Sequence, residues 1–88
     1  MKTIYKYPIK QYDVTSVSMP ENAYIIKGGI QEGNFFIWAV VDTENTQEER
    51  HNFAVIGTGH EVPYKNISHI DSIQHGIYVW HIFEIFKF

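Results

Sequence analysis

Gly57-Thr58-Gly59-His60 follows the apolar run Phe53-Ala54-Val55-Ile56. Two glycines around a threonine end a strand in a tight turn, and consecutive turn amides can converge on an anion. Thr58 would add a hydroxyl, and His60 a donor to a phosphate oxygen. The same residues equally suit a plain chain reversal with a surface histidine. The turn is no phosphate loop of the GxxxxGK[ST] kind, because that spacing is absent and no helix pattern follows. Arg50 is the best-placed cation, since its planar fork suits phosphate; Lys27 and Lys65 are the others.

Five histidines stand at positions 51, 60, 69, 75 and 81. Zinc needs three or four converging ligands, and no HExxH or close histidine pair supplies them. His81 shares a strand face with Val79 and Phe83. It reads either as a hydrogen-bonded core residue or as a group pointing into a pocket. Ser68, His69 and Asp71 are close in sequence, but on an extended strand Ser68 faces away from His69 and Asp71. A nucleophilic triad does not follow, although a His69–Asp71 hydrogen bond could. No complete catalytic motif is present, and no enzymatic activity or cofactor is expected. Trp38 lies in the most apolar strand and is assigned to the core. Trp80 and Tyr78 alternate with Val79 and His81, so one pair faces inward. An aromatic face there could stack a nucleobase, or it could serve packing alone.

The elements that must position these groups read as strands. Lys2, Lys6 and Lys10 alternate with Thr3, Tyr5, Tyr7 and Ile9, the period of an edge strand with one wet face. Val14–Met19 and Ala23–Ile30 follow, and the Gly28-Gly29 pair inside the latter predicts a bulge or a close backbone approach. Gln31-Glu32-Gly33-Asn34 is a hairpin turn, with Gly33 and Asn34 expected at positive φ. Phe35–Val41 is apolar on both faces and should be central. Asp42–Asn52 reads as a solvated loop with one helical turn at Gln47–Arg50. Phe53–Gly57 is next, and Ile67–Ile73 and Ile77–Phe86 pair across His75-Gly76. The expected fold is mainly β, with little helix: a single domain over residues 1–88, an antiparallel sandwich or barrel of six to seven strands.

With 88 residues and no cysteine, the chain has a small core and no disulfide to reinforce it. Six Phe, six Tyr and two Trp are a large apolar content for that volume, and part of it is expected at a subunit interface or in a ligand pocket. The net charge of -3, with lysines scattered singly, argues against a nucleic-acid polymer as partner. No apolar run is long enough to span a bilayer as a helix, and no signal-peptide core is visible, so a cytosolic location is expected.

Four segments in this order, Met1-Lys2-Thr3-Ile4-Tyr5-Lys6-Tyr7, Trp38-Ala39-Val40-Val41-Asp42, Gly57-Thr58-Gly59-His60 and Val79-Trp80-His81-Ile82-Phe83-Glu84, resemble a family of small uncharacterised proteins common in bacteriophages and bacterial genomes. The chain departs from it at Ile85-Phe86-Lys87-Phe88. The resemblance implies a phage origin and a place in the cytoplasm of the infected host. Small cysteine-free phage proteins include sponges for nucleotide-derived immune signals, an analogy of size and character. On that analogy the chain would sequester a cyclic dinucleotide or an ADP-ribose derivative. Phosphates would lie on Gly57, Thr58, Gly59 and His60, with Arg50 as cation and Trp80 or His81 against base or ribose. A homodimer would enclose the ligand, with the C-terminal residues in its interface. The alternative is a protein-interaction module that inhibits or adapts a host or phage protein, which needs a flat apolar patch or an open sheet edge.

Overall fold

Seven runs of the chain favour strand because β-branched and aromatic residues alternate between turn formers. The computed structural model describes residues 1–87 and contains β1 (Lys2–Ile9), β2 (Thr15–Pro20), β3 (Tyr24–Gln31), β4 (Asn34–Asp42), β5 (Glu48–Gly57), β6 (Asn66–His75) and β7 (Tyr78–Lys87), with no helix among the described residues. They form two antiparallel sheets, one ordered β1-β4-β3 and the other β2-β5-β7-β6.

The sheets pack face to face. β4 alternates strictly, with Phe35, Ile37, Ala39 and Val41 turned inward, and its partners Ile9 and Tyr7 on β1 and Ile25 and Ile30 on β3 join that layer. The opposing sheet contributes Met19, Phe53, Val55, Trp80 and Ile82. Phe53, Met19, Ile37 and Ile82 are wholly buried, so each contributes about 1.5–3 kcal/mol over an exposed position.

The sheets close along one side, where β3 meets β6. Both strands are irregular there: the register shifts between Ile25 and Lys27 and between His69 and Asp71. Lys27 pairs with Asp71 across the seam at 3.4 Å. A Cβ at Gly28 would lie 2.7 Å from Ile82 Cδ1, so any larger residue here would force the Ile82 side chain to shift. The glycine pair itself stays in regular register, opposite Ile37 and Phe36; the bulge falls at Ile26, and what approaches the glycines closely is side chains, Ile82 and Trp38.

Several expectations need correction. Glu48–Asn52 is extended and not a loop or helical turn, because β2 recruits it as a partner, from Pro20↔Glu48 to Thr15↔Phe53. The first hairpin turn takes its positive φ from Glu32 and Gly33, at 51° and 79°, rather than from Asn34. Trp38 is not core: it lies on the outer face of β4, half-buried against Gly29. The C-terminal residues Ile85–Lys87 complete β7, with Ile85 buried and Phe86 exposed; Phe88 lies outside the described residues.

Candidate functional site

The Gly57–His60 turn is closed by its own amides. His60 N–H donates to the Gly57 carbonyl at 3.1 Å, and Gly59 adopts φ +91°, as the third residue of a type II turn does. Thr58 N–H donates to the Val79 carbonyl at 3.1 Å. Two of the amides that an anion would need are therefore engaged.

The other residues expected to complete an anion site are dispersed. Arg50 lies seven residues up β5 from Gly57, about 23 Å at strand rise, and is exposed beside β2. Trp80 and His81 are consecutive on β7 and so face opposite ways: Trp80 is inward and 5% exposed, while His81 is half-buried on the outer face. His60 goes with Trp80, with the rings edge to face at 6.2 Å. Thr58 goes with His81, Oγ1 to Nε2 at 2.7 Å. The structure thus assembles two separate groups from the expected one.

The outer group is a directed hydrogen-bond chain. Thr58 O–H donates to the Val79 carbonyl at 3.3 Å, so Thr58 Oγ1 accepts from His81 Nε2–H. His81 Nδ1 is then the acceptor, at 2.8 Å from Ser72 Oγ. Ser72 Oγ in turn accepts from His69 Nε2–H, also at 2.8 Å. Ser72 has an imidazole at hydrogen-bond distance, but among the described residues no carboxylate is hydrogen-bonded to His81, so the arrangement stops short of a triad. Asp71 does not reach His69. The bulge at Ile70 breaks the alternation, and Asp71 instead accepts from Ser72 N–H at 2.9 Å. Sequence spacing missed Ser72 because only the β6–β7 register, Ser72↔His81, brings it to the histidine.

The inner group borders a cavity of about 210 Å³ lined by Trp80, His60, Tyr12, Asp13, Glu61 and Tyr64 among others. Tyr12, Asp13 and Glu61 gave no signal in the sequence, since each is a polar or aromatic residue in an irregular segment. No group of His, Asp and Glu among the described residues is arranged to hold a metal ion.

A third feature is the outer face of the β1-β4-β3 sheet. Phe36, Trp38 and Val40 on β4 lie between Ile4 and Pro8 on β1 and Tyr24 on β3. Ile4 is 55% exposed and Tyr24 70%. Lys2, Lys6 and Lys27 frame this surface. Lys6 Nζ sits 4.5 Å above the Phe36 ring and donates to Gln31 Oε1 at 2.9 Å. The signal for it was present: β4 is apolar on both faces, and a chain this short builds only two layers, so one of those faces stays open.

The chain matches a family model described as "Domain of unknown function (DUF7352)" over residues 1–87, and it belongs to that family. No curated protein and no solved structure matches it. No helix among the described residues is long and apolar enough to cross a membrane.

Proposed function

We propose that the protein is a non-catalytic protein-interaction module that works through the outer face of its three-stranded sheet. One observation carries this reading. Ile4, Pro8, Phe36, Trp38, Val40 and Tyr24 form a continuous apolar surface on a sheet with no third layer above it. The outer face of a two-layer sandwich is ordinarily polar, and a contiguous apolar exception marks an interaction site.

The rim identifies the partner's chemistry. Lys6 and Lys27 flank Trp38 on this face; Lys2 stands opposite Asp42 and Lys27 pairs with Asp71, whereas Lys6 has no ion-pair partner among the described residues and is the charge left for a partner carboxylate. The fitting occupant is a protein with an apolar centre and a carboxylate rim. A nucleobase is a poorer match, because Lys6 already covers the Phe36 ring. The nucleotide-sponge reading draws no support from the Gly57–His60 turn, where the Thr58 and His60 amides are engaged and the expected cation is distant.

The test compares the parent with an Ile4→Asp, Tyr24→Asp variant, two exposed changes that leave the core intact. The parent should form a complex in which carbodiimide joins Lys2, Lys6 or Lys27 directly to partner carboxylates, and the variant should lose it. Self-association abolished by the same variant would make the occupant a second copy. Nucleotide or single-stranded nucleic-acid binding abolished by it would replace the protein partner.

A further inference from the structure

The cavity beside Trp80 exists because β2 begins late. β2 pairs with β5 only as far as Phe53, so Ala54–Gly57 have β7 on one side and no strand on the other. The residues just before β2, Tyr12 and Asp13, and those leaving the turn, His60, Glu61 and Tyr64, border the gap with Trp80. The Tyr12 and His60 rings stand nearly perpendicular to the indole, at 86° and 80°, with centroids 5.8 and 6.2 Å away. The arrangement is a floor with two aromatic walls. Asp13 and Glu61 add two carboxylates, and no Lys or Arg lines the cavity. Asp13 Oδ1 accepts from Val14 N–H at 2.8 Å, whereas Glu61 has no ion-pair partner among the described residues.

We propose that this cavity binds a small organic cation, an alkylated ammonium head group, against the Tyr12 and Trp80 rings with Asp13 and Glu61 as counter-charges. The π faces are negative and attract an ammonium group, more strongly when it carries methyl groups in place of water. The carboxylates exclude phosphate from the same space. At about 210 Å³ the cavity is smaller than the roughly 300–1,000 Å³ of sites for larger ligands, which suits a head group alone.

Choline titrated into the full chain tests this, with dimethylbutanol, its uncharged carbon isostere, as control. A Trp38→Phe background leaves Trp80 as the reporter, read by emission and checked by calorimetry. Choline should give a saturable change that the isostere does not. Tyr12→Ala should weaken binding about tenfold, and Asp13→Asn with Glu61→Gln should weaken it by a comparable factor. Tyr12 is 82% exposed, so its removal should leave the melting temperature unchanged. If the carboxylate pair perturbs the fold, Glu61→Gln alone reports the charge. A choline response no different from sodium chloride at equal ionic strength, equal binding of the isostere, or parent-like binding by the folded variants would overturn the proposal.

Discussion

His51 Nδ1 lies 2.5 Å from a carboxylate oxygen of Glu84 across neighbouring strands, and the two side chains are only 17% and 12% exposed. The imidazole is stacked on Phe53 with ring planes 13° apart, and its Nε2 is buried with no hydrogen-bond partner among the described residues. A carboxylate at the edge of a core is tolerated when a donor meets it. Glu84→Ala leaves that donor unmet and should cost about 1–3 kcal/mol. Pairing it with His51→Phe, which keeps the stack on Phe53, should recover part of the loss. Urea unfolding of the four proteins gives the coupling; simple additivity would show that the contact contributes nothing of its own.

Gly28→Ala should destabilise by about 1–3 kcal/mol, because the new methyl collides with a side chain that is itself wholly enclosed. Ile82→Val removes the colliding Cδ1, so the double variant should lose less than the two single losses combined. Chemical denaturation measures this, and a neutral Gly28→Ala would mean that the seam between β3 and β6 is looser than described.

Asp42 and Tyr7 each make stability depend on pH. Asp42 is held below its ordinary value of 3.8, first by the Glu44 N–H and then by the Met1 ammonium. Its contribution is therefore complete above 3.8 and is lost as pH falls through the lowered value. Tyr7 is raised above its ordinary value of 10.0, chiefly by burial. The neutral phenol is favoured in the fold, so its contribution is complete below 10.0 and is lost as pH rises through the raised value. Asp42→Asn should flatten the acid limb of a plot of Tm against pH, and Tyr7→Phe the alkaline limb. Unchanged limbs would place the titrations elsewhere.

The two tryptophans should report separately. Trp80→Phe leaves Trp38 on the open face, where acrylamide should quench it readily. Trp38→Phe leaves Trp80, 5% exposed, with protected emission. Equal quenching of the two variants would mean that the outer face is covered in solution.

Strand count and the hairpin positions were legible because period-two patterning and turn residues act locally; which face of β7 turns inward was not, because Trp80 and His81 both suit either side. Trp38 was misassigned because hydrophobicity alone does not say which face of a doubly apolar strand is covered. Glu48–Asn52 was misread because its strand character comes from β2, a partner far away in sequence. The same limit dispersed the expected site. Arg50 and Gly57 are close by count yet on an extended strand far apart in space, while Tyr12 and Trp80, distant by count, meet edge to face.

The pairing scheme has a kinetic consequence. Each sheet contains one hairpin of sequence neighbours, β3–β4 closed at Glu32-Gly33 and β6–β7 closed at Gly76, and these turns place residues at positive φ. Such hairpins form in about 1–10 μs. Every other pairing, β1 with β4, β2 with β5 and β5 with β7, joins distant segments and must wait on slower loop closure. Each sheet therefore carries its own local seed. β1 adds to one seed and β5 to the other, and refolding is limited by those additions and the meeting of the two halves rather than by any single turn.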